Sequence, residues 1–294
     1  LKKYLQENQY IIVHSHLNTL SVFPLFVAWM CRVPVRIAHN HSVPSGKEKK
    51  RDALKYFLRA FAKVFPTHYF ACSEKAGRWM WGDRCYDQGK VFVLNNAIDF
   101  RRFSKQDEEA KKLKKLLNLD GKLVIAHIGR FTSAKNHKFL LQVFKEIISI
   151  NENAVLLLVG DGELHNDICR WVEDAGLTQN VVFVGQVSNP EKYYQVADVV
   201  TLPSIFEGLP LTVIESQVAG VPVVASTVVP EEPIISDGCV RLELSDSNWA
   251  NQILAMAGKT VVLDKRSENY NIKYAVKKLE NWYEDRVKEC QTFQ

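Results

Sequence analysis

A chain of 294 residues, 47% hydrophobic and 24% charged, has an ordinary soluble composition; it can bury a sizeable core and suggests about two domains. Its formal net charge is only +5 and no recognisable nucleic-acid motif accompanies it, which argues against a nucleic-acid binder. The six cysteines (Cys31, Cys72, Cys85, Cys169, Cys239, Cys290) lack C-x-x-C or metal-like spacing, so reduced thiols in the cytosol are expected rather than disulfides or zinc.

Tyr10-Ile11-Ile12-Val13 reads as a short buried strand, followed by a helix and by a second strand at Pro34 to Ala38. The longest apolar stretch, Val22 to Cys31, is too short to span a bilayer and lies internally, so a core helix is expected there. Residues 47–63 hold seven basic side chains against two acidic ones, with apolar residues at helical spacing. Such a basic amphipathic helix suits peripheral contact with an anionic membrane, or a solvated face packed on its own domain. Strands follow at Tyr69 to Cys72 and Val91 to Leu94, with a helix from about Glu74 between them, and Asn95 to Asp99 forms a turn. Lys105 to Lys122 is expected as a helix in an interdomain crossing.

A second series of apolar, β-branched strands runs through Leu123 to Gly129, Val155 to Gly160, Val181 to Gly185 and Val199 to Leu202. Near-continuous apolar strands joined by helices imply a parallel sheet covered on both faces. The expected fold class is therefore α/β, with two Rossmann-like domains facing each other. Residues 1–104 form the first domain, 105–268 the second, and 269–294 a closing amphipathic helix.

Phe206 to Glu215 is the most informative run, with two carboxylates eight positions apart around a proline that can open a helix. With Pro210 at the first helical position, the amides of Leu211 and Thr212 lack earlier carbonyl partners and, with the helix dipole behind them, favour a diphosphate. Gly208, before Leu209, lets the backbone approach a ligand. Glu207 can accept from sugar hydroxyls and Glu215 from a ribose diol.

Gly129-Arg130-Phe131-Thr132-Ser133-Ala134-Lys135 leaves a strand and enters a helix, so the planar fork of Arg130 and the point charge of Lys135 can converge on a diphosphate. Gly160-Asp161-Gly162-Glu163 reads as a tight turn. Gln186 and Val187 end a strand at a crevice where open α/β sheets bind ligands. His14-Ser15-His16 and His39-Asn40-His41 both end strands, where neutral imidazoles can serve a sugar hydroxyl or a developing charge. Metal is discounted for them, on the reading that strand alternation sends the two histidines of a pair to opposite faces and because no carboxylate or thiol accompanies them.

Aromatic-Glu-Gly-x-Pro before a helix, E-x7-E across its start, the Ala219 to Ala225 glycine stop and buried strand, and the G-R-x4-K run at Gly129 to Lys135 together resemble the retaining glycosyltransferases of family 4. These are the "glycosyl transferases group 1", with GT-B architecture, and the resemblance extends over roughly Tyr10 to Tyr283. It implies transfer of a sugar from a nucleotide diphosphate, with uridine as the expected base, to a hydroxyl acceptor. Substitution would be front-face, the departing phosphate helping to deprotonate the acceptor, with no cofactor and no metal required. Arg130, Lys135, Glu207 and His41 would then be catalytic. Gly129, Gly208 to Thr212, Glu215 and backbone near Gln186 and Val187 would bind the donor, and His16 would lie on the acceptor side.

Arg36 to Ser42 looks like bacterial enzymes that build exopolysaccharide or capsule on lipid-linked acceptors, which implies a cytoplasmic protein docked at the inner face of the membrane. The chain opens at Leu1, on a strand resembling one that in this family follows an opening strand and glycine-rich loop, so the first domain is expected to be incomplete. Two rivals remain open at this stage: a nucleotide-sugar-binding fragment without turnover, and a GT-B sugar-nucleotide epimerase.

Overall fold

The computed structural model describes residues 1–44, 49–104 and 107–292 and divides into two compact units. Unit 1 comprises Leu1–Ala97 and Asn269–Gln294, and unit 2 comprises Ile98–Glu268.

Unit 1 carries a four-stranded parallel sheet in the order β1 (Ile12–Ser15), β2 (Val35–Asn40), β3 (His68–Ala71), β4 (Val91–Val93). Helices α1 (Lys2–Asn8), α2 (Val22–Met30), α3 (Lys49–Arg59), α4 (Glu74–Trp81) and α5 (Asp83–Asp87) connect the strands or precede them. Strand alternation divides the core in two. Leu25, Ala38, Ala71, Met80 and Trp81 pack on one side of the sheet, whereas Val35, Ile37 and Phe70 meet Leu279, Trp282 and Tyr283 of the final helix on the other. That helix, named below with its range, is therefore part of unit 1. The N-terminus of α4 is fixed by Ser73, whose hydroxyl accepts from the Ala76 amide at 3.1 Å.

The expectation of a core helix over Val22 to Cys31 is met on one side only. Leu25 and Ala28 are buried, but Phe23 is 58% and Trp29 52% exposed, and Phe26 and Met30 are exposed beside them. An apolar run with no polar face gives a helix no side suited to water, so the half of α2 turned from the sheet presents aromatic surface. The basic helix is described from Lys49, with Lys47 and Glu48 outside the described residues. It buries Asp52 and Leu58 and exposes Leu54, Tyr56 and Phe57 together with Lys50 and Arg51. No helix among the described residues is long and apolar enough to cross a membrane.

Unit 2 carries a six-stranded parallel sheet. In chain order its strands are β5 (Leu123–Ile128), β6 (Ala154–Val159), β7 (Val181–Gly185), β8 (Val199–Leu202), β9 (Val223–Ser226) and β10 (Cys239–Leu242). Their spatial order is β10-β9-β8-β5-β6-β7, the doubly wound arrangement in which connections run outward in opposite directions from the central pair β5 and β8. Helices α6 (Asp107–Leu116), α7 (His137–Ile150), α8 (His165–Asp174), α9 (Glu191–Tyr194), α10 (Leu211–Val218) and α11 (Trp249–Met256) cover both faces. The lysine-rich helix is shorter than the run Lys105 to Lys122 suggests, and Lys105 and Gln106 lie outside the described residues. Every residue of β6, β8 and β9 is buried, as strands covered on both faces require. The chain leaves unit 2 through α12 (Ile272–Thr292), the helix that covers the sheet of unit 1.

Candidate functional site

The carboxyl ends of β5, β6, β7 and β8 surround the point where the sheet's connections diverge, the place where open α/β sheets hold ligands. A cleft of about 520 Å³ opens there, bounded among others by Gly129, Arg130, Gly160, Gln186 and Val187. Four of the residues expected from the sequence at the ligand site, Gly129, Arg130, Gln186 and Val187, thus line one cavity.

Two glycines allow the loops after β5 and β6 to touch. A Cβ on Gly160 would stand 2.0 Å from the Gly129 carbonyl oxygen, and one on Gly162 would stand 2.4 Å from that of Phe131. The Phe131 amide donates to Asp161 O at 3.0 Å across the same contact. The Gly160 to Glu163 run is therefore the close-fitting turn read from the sequence. At Gly208 the protein makes no such demand, because a Cβ there would meet nothing within 4 Å.

The two cations are held differently. Lys135 Nζ lies 2.7 Å from Glu207 Oε1, and the same oxygen accepts from Ser204 Oγ at 2.6 Å, in a setting where the two charged side chains are only 16% and 10% exposed. Arg130 is 76% exposed, with its guanidinium 3.7 Å from Glu163. Each cation thus has its own acidic partner, the lysine fixed and the arginine exposed. The Ile205 amide donates to Ala134 O at 2.8 Å and ties the loop carrying Glu207 to the turn carrying Lys135.

Pro210 is not the first helical residue. Its backbone is extended, φ −74° and ψ 107°, so it caps α10 and Leu211 begins the helix. Val213 N–H already donates to Pro210 O at 3.1 Å, leaving the amides of Leu211 and Thr212 as first-turn donors, as the sequence suggests, with the register moved by one residue. Thr212 also anchors the helix start to β5, its hydroxyl donating to Ile128 O at 3.3 Å.

Glu215 lies one turn into α10 and accepts from the fully buried Tyr194 hydroxyl at 2.6 Å. Burial raises the Glu215 carboxyl above its ordinary range, while the bond from Tyr194 pulls it back. Nearby, Arg102 holds Glu191 with two contacts at 2.9 and 3.0 Å. Tyr194 and Arg102 escape sequence reasoning, since neither falls in a motif and both reach the site only through the packing of α9. So does the pair His127 and His137 behind the loop after β5. Both are buried, their rings meet edge to face at 4.7 Å, and His127 Nδ1 lies 2.9 Å from Thr201 O. Burial keeps both neutral, with His137 lowered to about 4.

In unit 1 the sequence argument against shared histidine geometry fails. Residues two apart on a strand face the same way, and β1 and β2 pair in parallel with His14 opposite Ile37. His14 and His16 consequently stack at 4.2 Å between ring centroids, and His39 and His41 at 4.0 Å. Cross-strand contacts join the pairs, His14 Nε2 to His39 Nδ1 at 3.2 Å and His16 Nδ1 to His41 Nε2 at 2.9 Å. Burial lowers all four, His14 to about 3 and His39 to about 2; neighbouring imidazoles add to the effect at His14, His16 and His39, while the bond to Asn96 opposes it at His41. His41 is steadied by Asn96 Oδ1 at 3.2 Å from its Nδ1.

Two units of parallel sheet, the second with ligand-facing loops at its switch point, define a protein of GT-B fold. HepE of Anabaena, solved in complex with UDP, superposes on 97% of this chain and 80% of its own with a TM-score of 0.80 at 16% identity. Sucrose-phosphate synthase of Thermosynechococcus elongatus does so over 98% and 76% with a TM-score of 0.75 at 20% identity. The sequence profile of the glycosyl transferases group 1 matches residues 108–278, and the chain belongs to that family. EpsF of Bacillus subtilis, named as a glycosyltransferase, is 31% identical over 83% of this chain, which spans 65% of EpsF's length. A UDP-Gal:alpha-D-GlcNAc-diphosphoundecaprenol alpha-1,3-galactosyltransferase of Escherichia coli is 26% identical over 98% of this chain and 78% of its own.

Proposed function

We propose that the chain acts as a retaining glycosyltransferase of family 4, moving a sugar from a UDP-linked donor to a hydroxyl of a lipid-linked glycan in exopolysaccharide or capsule synthesis. The observation that carries this reading is the grouping of the Lys135–Glu207 pair, the first-turn amides of α10 and the Tyr194–Glu215 pair around the switch point of the unit 2 sheet. The chemistry follows from that set. Amides at a helix N-terminus favour the diphosphate, and Lys135 and Arg130 supply cations to the negative charge that grows on it as the glycosidic bond breaks. Glu207, already accepting from Lys135 and Ser204, is suited to orienting a sugar rather than attacking it. The departing phosphate then takes the acceptor proton, so no protein nucleophile and no cofactor enter the step. The uridine base and the lipid-linked acceptor are supported by the UDP complex of HepE and by the donor and acceptor named for the E. coli relative.

Calorimetric titration with UDP, GDP and ADP tests the donor site. UDP is expected to bind tightest, and both Glu215→Ala and the double variant Arg130→Ala, Lys135→Ala are expected to weaken it by tenfold or more. Equal affinity for all three nucleotides would remove the uridine assignment, and absence of binding would remove the donor site. Incubation with UDP-sugars and a lipid-linked glycan then separates transfer from binding alone.

The same reading places unit 1 against an anionic membrane. Phe57 is 64% exposed on α3 next to its basic residues, and the exposed aromatic side of α2 continues through Phe65, which lies 5.1 Å from Phe26 and 5.9 Å from Trp29. Apolar side chains flanked by lysine and arginine suit the headgroup boundary of an anionic bilayer. Charge near such a surface contributes about 1 kcal/mol per basic residue, so Lys50→Gln, Arg51→Gln and Lys63→Gln together are expected to weaken binding to phosphatidylglycerol vesicles by about 100-fold. UDP affinity should not change. Undiminished vesicle binding would remove the membrane contact from these residues.

A further inference from the structure

We infer that His14, His16 and His39 form a binding site for a divalent transition-metal ion of the class that prefers imidazole, such as zinc, cobalt or nickel. The inference is independent of the donor-site reading, since all three residues belong to unit 1. Each histidine can present one ring nitrogen within 4.8 Å of those of the other two. The distance between His14 Nε2 and His39 Nδ1, 3.2 Å, is close to the edge of about 3.3 Å that a tetrahedral ion demands when its metal–nitrogen bonds are about 2.0–2.1 Å. An ion can therefore replace the proton shared along that edge with little movement of either ring.

Two features prepare the rings for this task. The far nitrogen of His14, Nδ1, is held by the Tyr283 hydroxyl at 2.6 Å, the kind of bond to a ligand's second nitrogen that fixes imidazole orientation at metal centres. No carboxylate contributes, and three neutral nitrogens select imidazole-loving ions over magnesium or calcium, which want oxygen. His16 is the exposed member of the three, through which an ion can enter from solvent.

The full chain, freed of metal with a chelator, is titrated with Co²⁺ and followed by visible absorption and by equilibrium dialysis. One tightly bound ion per chain with the intense absorption of tetrahedral cobalt is expected, and zinc should displace it. His14→Ala should abolish uptake, and His16→Ala, which removes an exposed ring and spares the core, should weaken it by tenfold or more. Tyr283→Phe should weaken it by about tenfold, since loss of a partner to a ligating histidine costs roughly 10–100-fold in affinity. His165→Ala, outside the cluster, should bind as the parent does. No uptake by the parent chain, or undiminished uptake in His16→Ala and Tyr283→Phe, would overturn the site.

Discussion

Lys135→Ala is expected to weaken UDP binding by roughly 10–100-fold, the equivalent of one charge-assisted hydrogen bond worth about 1.5–3 kcal/mol. The same change should destabilise unit 2, because Glu207 is only 9% exposed and loses a cation 2.7 Å away. Breaking a buried pair by removing one member costs about 3–5 kcal/mol, chiefly through the charge left without its partner. The two effects separate in the double variant Lys135→Ala, Glu207→Ala. With the carboxylate gone, stability should recover by a large part of the loss, while nucleotide affinity stays low. Thermal denaturation reads the first quantity and calorimetry the second. Full UDP affinity in Lys135→Ala would take the lysine out of phosphate recognition, and a double variant no more stable than the single one would show that the pair is not the source of the instability.

Gly160→Ala should be the most damaging small substitution in unit 2. The new methyl would sit 2.0 Å from the backbone carbonyl oxygen of Gly129, at a residue whose φ of +141° side chains rarely adopt. Neither atom can rotate away, so the loops after β5 and β6 must part. Overpacking costs about 1–3 kcal/mol or more and the backbone strain about 1–3 kcal/mol further, for a loss near 4 kcal/mol. For a protein of this size that corresponds to a fall in Tm of about 10 °C. Gly208→Ala is the matched control, because its Cβ meets nothing within 4 Å. Its Tm should be that of the parent, with any penalty confined to ligand binding. A Gly160→Ala chain that melts with the parent would mean that the two loops do not need their close approach.

The strands of unit 2 are legible because burial on both faces leaves a plain trace: Ala154 to Val159 and Val223 to Ala225 carry no polar residue at all. Strand β10 is not legible, since Cys239-Val240-Arg241-Leu242 is short, edge-placed and only half-buried, and its arginine breaks the apolar run. The glutamates flanking α10 announce themselves by spacing, but their partners do not. Lys135 stands 72 positions from Glu207, and Tyr194 stands 21 positions from Glu215. Such pairings are made by topology, which puts the ends of β5 and β8 side by side. The one-residue error at Pro210 arises because a proline's fixed φ suits both a first helical position and an extended cap, and only ψ tells them apart. The histidines show a different failure. Their spacing was visible, and period-2 geometry, correctly applied, already places both members of each pair on one face.

Because α12 covers the β1–β4 sheet from residues 272–292, unit 1 is assembled from the two ends of the described chain while unit 2 is contiguous. During synthesis the ribosome therefore delivers every residue of unit 2 before the helix that seats Leu279, Trp282 and Tyr283 against Val35, Ile37 and Phe70 exists. One face of the earlier-made sheet must wait with its aromatic residues uncovered. Unit 1, although its sheet is made first, is therefore completed last, when α12 emerges.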